Sequence, residues 1–308
     1  MIRKRLLFLG GVGLLLAGCA SPTPVPDATS TITVQPTASL SAPTETQAPM
    51  MVYSDIPYAQ LGGVDPNLLS LDVYTPLSGP APFPVVVMVH GGSWREGDKR
   101  SLTVSGTKSA FFTSHGCIFI SINYRLAPDA MYPAPVQDVA AALAWVHRYI
   151  GRYGGDSGRV YLMGHSAGGQ LAALVATDES YLSAHALDLK VLAGVILLDA
   201  VGLDIPSEMN PQSQSMFEAA FGSDPLVWGE ASPLTHVAPG KSIPPFLIFY
   251  ASMGSTSQAF ADALTPAGVK NWLVPEPDKT HASITADIGL PGDPVTARIM
   301  EFLGAPPP

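Results

Sequence analysis

The chain has 308 residues, 47% of them hydrophobic and only 13% charged, with a formal charge of −9 at pH 7. That balance excludes an intrinsically disordered chain. An acidic chain with no basic cluster is also a poor partner for nucleic acid or anionic lipid headgroups.

Residues 1–18 have the layout of a secretory signal: Arg3-Lys4-Arg5, an apolar run from Leu6 to Leu16, then small residues. The apolar run is too short to span a bilayer comfortably as a helix. Leu16-Ala17-Gly18-Cys19 resembles the bacterial lipobox, which implies cleavage before Cys19 and lipid attachment to its sulfur. On this reading the protein is an exported lipoprotein facing outside the cytoplasm and touching membrane only through its anchor. Residues 19–50 are then the lipidated cysteine and a tether rich in Pro, Thr, Ser and Ala, which cannot bury enough apolar surface to offset its ordering entropy. Residues 51–308 form one domain with ample core. The other cysteine, Cys117, lies in an apolar run and reads as a core residue, so no disulfide framework is available.

Within that domain, Leu69–Tyr74 alternates like a half-buried antiparallel strand. Val85–Val89 is a continuous β-branched run, as expected of a strand covered on both faces. Similar runs follow at Cys117–Ile122, Val160–Met163, Val191–Leu198, Phe246–Tyr250 and Trp272–Val274. Helical stretches are predicted near 104–114, 135–150, 167–177, 257–267 and 294–303. The alternation argues for an α/β fold with a mostly parallel central sheet and helices on both faces. Residues 200–240, rich in Pro, Ser, Met and Phe, break the rhythm and are expected to form a small cap insertion.

Gly164-His165-Ser166-Ala167-Gly168 lies between a predicted buried strand and a predicted helix. A serine on such a sharp turn projects its hydroxyl out of the sheet, and the flanking glycines let strand and helix approach. Ser166 is therefore the candidate nucleophile, and the N–H of Ala167, at a helix N-terminus, a candidate oxyanion donor. His90-Gly91-Gly92-Ser93-Trp94 follows the strand Val85–Val89. Gly91 and Gly92 offer unobstructed backbone donors for a developing negative charge, and Trp94 is placed at the substrate pocket or in the packing of the loop. Of seven histidines, His281 alone lies beyond the last predicted strand, where a general base could reach Ser166. His90 and His165 take structural roles within their motifs, and His115, His147, His185 and His236 sit elsewhere.

His90-Gly91-Gly92-Ser93-Trp94, Asn123-Tyr124-Arg125-Leu126-Ala127-Pro128, Tyr153-Gly154-Gly155-Asp156 and Gly164-His165-Ser166-Ala167-Gly168-Gly169 together resemble the hormone-sensitive-lipase-like branch of the α/β-hydrolases. The resemblance runs from about Leu69 to Phe302, in the family's order. It implies an α/β-hydrolase fold, nucleophile Ser166, base His281, oxyanion donors Gly91, Gly92 and Ala167, and no cofactor. Trp94-Arg95-Glu96-Gly97-Asp98-Lys99 is similar to the esterase and formamidase members.

One departure bears on the triad acid, which in this family follows the strand before the penultimate helix. Here that stretch, Tyr250 to Ser257, has no carboxylate, and Asp262 lies inside the predicted helix. Asp199, the sole charge closing the run Ile196-Leu197-Leu198, is the first alternative, because a charge at the end of a buried run needs a specific partner. Asp204 is second and Asp278 third. The expected activity is hydrolysis of small-molecule or polysaccharide-linked carboxylic esters, short acyl, acetyl or feruloyl, through an acyl-enzyme. The alternatives are a formamidase of the same fold and a catalytically decayed surface binding protein.

Overall fold

The computed structural model describes residues 50–304; the expected leader, Cys19 and nearly all of the tether lie outside them. The described residues form an eight-stranded sheet of β1 (Met50–Pro57), β2 (Ser70–Pro76), β3 (Phe83–Val89), β4 (Ile118–Ile122), β5 (Gly155–His165), β6 (Leu192–Leu198), β7 (Phe246–Tyr250) and β8 (Asn271–Pro275). Their spatial order is β1-β2-β4-β3-β5-β6-β7-β8. The antiparallel strand β2 pairs with β1 and β4, and every pairing from β4 to β8 is parallel.

The helices are α1 (Thr107–Ser114), α2 (Ala134–Tyr149), α3 (Ala167–Thr177), α4 (Glu179–Ser183), α5 (Ile205–Glu208), α6 (Gln214–Phe221), α7 (Pro225–Glu230), α8 (Gly254–Leu264), α9 (Ser283–Ala286) and α10 (Pro294–Phe302). Strand β3 explains why its run had to be apolar throughout. Val85, Val87 and Val89 pack into a cluster with residues of α2, α3 and α8, whereas Val86 and Met88 join a second cluster with residues of α1, α9 and α10. Alternate side chains thus enter two cores, one on each face of the sheet. Cys117 is fully buried in the second, and burial pushes its thiol up to about 11.

Four local expectations are corrected. Strand β1 was not read from the sequence: most of its side chains are exposed or half-buried on a sheet edge, so it lacks an apolar signature. It also draws Met50, expected in the tether, into the sheet. Strand β2 is buried along both faces rather than half-buried. Its Asp72 can be buried because it accepts from the Asp55 amide at 2.7 Å and from Arg100 Nε at 2.7 Å. The stretch predicted as a helix from 104 opens instead with a π-type turn, Leu102–Gly106, before α1.

Residues 200–240 hold three short α-helices, α5, α6 and α7, and a 3₁₀ turn at Pro233–His236. Phe217 and Phe221 of α6 pack on the Trp94 indole, with ring centroids 5.6 and 4.9 Å away. The insertion is thereby fastened to the loop after β3.

Candidate active site

Ser166 is the single residue between β5 and α3, with φ +53° and ψ −123°. A non-glycine residue there carries strain of about 1–3 kcal/mol, which persists only where the surroundings over-determine it. They do so here. A Cβ on Gly164 would lie 2.2 Å from the Gly168 carbonyl oxygen, and one on Gly168 would lie 2.4 Å from the carbonyl oxygens of Val89 and His90. Strand, helix and the β3 loop touch backbone to backbone, and no side chain fits between them. The turn is pinned by the Ser166 N–H donating to Leu198 O at 3.1 Å and by Ser166 O accepting from Gly169 N at 2.9 Å.

His281, in the loop between β8 and α9, brings Nε2 to 2.9 Å from Ser166 Oγ. Its Nδ1 lies 2.7 Å from Asp199 Oδ2, immediately after β6. A carboxylate only accepts, so Nδ1 carries the proton and Nε2 presents its lone pair to the serine hydroxyl. Asp199 is fully buried. Its Oδ1 accepts from the amides of Ala251, Ser252 and Met253 at 2.8, 2.9 and 2.9 Å, and its Oδ2 from Ser252 Oγ at 2.5 Å. Burial pushes the Asp199 carboxyl up, but the bonds from His281, Ser252 and these amides outweigh it and hold the group well below the usual carboxylate range. The segment after β7 that lacks a carboxylate therefore supplies the amides that hold one from β6.

The other two carboxylates stand apart from His281. Asp204 immediately precedes α5 and accepts from Ser207 Oγ, and Asp278 is exposed. Asp262, exposed in α8, accepts from Gln258 Nε2 at 2.8 Å.

The loop after β3 lies against Ser166: a Cβ on Gly91 would sit 3.0 Å from Ser166 Cβ. The cavity containing Ser166 and His281, of about 480 Å³, is lined at this end by Ser93, Trp94 and Ala167. Gly91 and Gly92 line a neighbouring cleft with His90 and His165. Ser93, in left-handed backbone at φ +53°, was not singled out in the sequence, although it completes the same motif. Ala167 opens α3, so its N–H is among those without an intrahelical acceptor. Trp94 both lines the cavity and packs: it is 1% exposed and donates from Nε1 to Gln170 Oε1 at 2.9 Å.

The two motif histidines are held as neutral rings. Burial lowers His165 to about 4, and its Nε2 donates to the His281 carbonyl at 2.7 Å, fixing the backbone of that loop. Burial also lowers His90, which stacks on Tyr124 at 4.3 Å and donates from Nδ1 to Gly91 O at 2.7 Å. A larger recess of about 620 Å³ lies beside Asp55, Asn67 and Arg100, and none of Ser166, His281 and Asp199 lines it. Chemistry, not size, selects the smaller cavity. Among the described residues no group of three His, Cys, Asp or Glu side chains could hold a metal ion.

Comparisons with known proteins place this geometry. The chain is 28% identical over 265 residues to esterase LipQ of Mycobacterium tuberculosis, a match covering 82% of this chain and 62% of LipQ, so it spans less than two thirds of that relative. It is 29% identical over 224 residues to carboxylesterase NlhH of the same species, covering 68% of this chain and 69% of NlhH. Among solved structures, a truncated carbohydrate esterase from gut microbiota superposes with a TM-score of 0.70 at 20% identity, covering 84% of this chain and 97% of that one. Residues 71–256, more than half of the chain, match the family model described as BD-FAE, and the protein is accordingly a member of the BD-FAE family built on the α/β-hydrolase fold.

Proposed function

We propose that this protein is a serine esterase that hydrolyses short-acyl, acetyl or feruloyl carboxylic esters through an acyl-enzyme. The observation that carries the reading is the unbroken line of hydrogen bonds from Ser166 Oγ through His281 to Asp199. In this mechanism Ser166 Oγ attacks the ester carbonyl while His281 Nε2 takes its proton. The oxyanion forms beside Ala167 and the loop after β3, whose backbone N–H groups at Gly91, Gly92 and Ser93 are the candidate donors. His281 then protonates the leaving alkoxide, and water repeats the sequence on the acyl-enzyme. Asp199 fixes the tautomer of His281 and stabilises the imidazolium. The esterase names of LipQ and NlhH support the same chemistry. A cavity of about 480 Å³ suits a compact acyl group.

Ser166→Ala should lower kcat on 4-nitrophenyl acetate by about 10⁶ and abolish labelling by a fluorophosphonate. Turnover near that of the unaltered protein would overturn the assignment. A formamidase of this fold would prefer a formyl amide over the matched ester, which a side-by-side rate comparison decides. The decayed-scaffold reading rested on the missing carboxylate after β7, and the Asp199–His281 bond removes that support.

We further propose export and lipid anchoring at Cys19, on the signal-like layout of residues 1–18 and the lipobox-like tetrapeptide. Incorporation of a labelled fatty acid that is lost in Cys19→Ser tests it, and equal incorporation in both would refute it.

A further inference from the structure

We propose that Glu208 is a specificity residue of the ester cavity, excluding esters that carry a carboxylate near the scissile bond and favouring neutral or cationic ones. This rests on the esterase reading and deepens it. Glu208, the last residue of α5, is one of the residues lining the cavity that holds Ser166 and His281, and only 8% of its surface is exposed. No Lys or Arg side chain lines that cavity, so nothing in its wall neutralises the carboxylate. Apart from Ser166 and His281, the rest of the polar wall carries no charge: Ser93, Ser207, Asn210, Ser213, Ser255 and Thr256.

Glu208 is also held in place. Its Oε2 accepts from the Gly202 amide at 2.8 Å and its Oε1 from the Asp204 amide at 3.4 Å. Both oxygens are thus tied to the backbone leading into α5, and moving the carboxylate aside for an anionic group would break these bonds. In a half-enclosed site the repulsion between two like charges several ångströms apart is worth about tenfold or more in kcat/KM.

The same carboxyl offers a second handle. Burial pushes it up to about 7; the amides of Gly202, Asp204 and Leu203 oppose that shift, and the neighbouring charge of Asp204 adds to it. The other titratable group on the cavity wall is His281. Discrimination should therefore grow as pH rises through 7 and Glu208 ionises. His281 acts on every ester alike, so it cancels from a ratio of two substrates.

The test compares kcat/KM for 4-nitrophenyl butyrate with mono-4-nitrophenyl succinate, the same four-carbon acyl chain ending in a carboxylate, and phenyl acetate with 4-acetoxybenzoate, between pH 6 and 8.5. The unaltered protein should favour the neutral member of at least one pair by about tenfold at high pH, with a smaller ratio at pH 6. Glu208→Gln should bring that ratio close to one and flatten its pH dependence, whatever it does to either rate alone. A purely structural role would lower both rates together and leave the ratio standing. Should the variant fail to fold, the pH dependence of the ratio in the unaltered protein still decides. A ratio that stays flat through pH 7, or survives Glu208→Gln, would overturn this proposal while the esterase reading stands. No turnover of any ester and no fluorophosphonate labelling would overturn both.

Discussion

Asp199→Asn is the most exacting test of the site, because the structure dictates which way the new amide must face. With its carbonyl in the place of Oδ1 it keeps the bonds from Ala251, Ser252 and Met253. Turned over, it would aim N–H donors at three N–H donors, leaving groups unsatisfied at a cost of about 1–3 kcal/mol each. The amide nitrogen therefore replaces Oδ2 and donates to His281 Nδ1, which was itself the donor over 2.7 Å. The histidine must then carry its proton on Nε2, facing Ser166 Oγ, and it can no longer accept from the hydroxyl. An inverted tautomer together with the loss of imidazolium stabilisation costs on the order of 10⁴ in kcat. Steady-state hydrolysis of 4-nitrophenyl butyrate reads this, with circular dichroism confirming that the variant is folded. Asp204→Asn, which touches neither His281 nor Ser166, serves as the control and should keep its activity. A folded Asp199→Asn protein within tenfold of the unaltered kcat would refute the reasoning.

Further outcomes follow from the same geometry. Gly168→Ala drives a methyl group into the Val89 and His90 carbonyls and should destabilise the fold by about 1–3 kcal/mol or prevent its assembly, read as a lowered Tm. Because the folded protein holds the Asp199 carboxyl below its ordinary value of 3.8, the stability it contributes is present above that pH and is lost as pH falls below it. Denaturant titrations between pH 3 and 7 should show a steeper acid loss in the unaltered protein than in Asp199→Asn, and equal slopes would count against it. His165→Phe removes the donor to the His281 carbonyl and should lower kcat by up to about tenfold with little change in KM, read by the same ester assay.

The site's two most local features were legible in the sequence. A serine between two glycines, at the junction of a buried run and a helical one, states its own turn geometry, and the turn at Ser166 is the one observed. The continuous apolar run of β3 likewise announces a strand with both faces covered. Strand β1 was illegible for the opposite reason: an edge strand with a mostly solvated surface has no periodicity to display. The half-buried reading of Leu69–Tyr74 failed at Asp72, whose burial depends on Arg100, a partner 28 residues away.

The candidate triad acid marks the boundary between what the sequence by itself determined and what only the tertiary structure decided. Residue order singled out Ser166 as the candidate nucleophile, His281 as the candidate base and the strand–helix alternation, because each is written in short-range pattern. Choosing among Asp199, Asp204 and Asp278 required knowing which carboxylate lies against a histidine 82 positions away and collects amides from a loop more than 50 positions away. The placement of Ser93 in the cavity of Ser166 and His281, with Gly91 and Gly92 lining the cleft beside it, was decided in the same way. Turns and strands obey local sterics, whereas hydrogen bonds between distant segments exist only once the sheet has set their ends side by side.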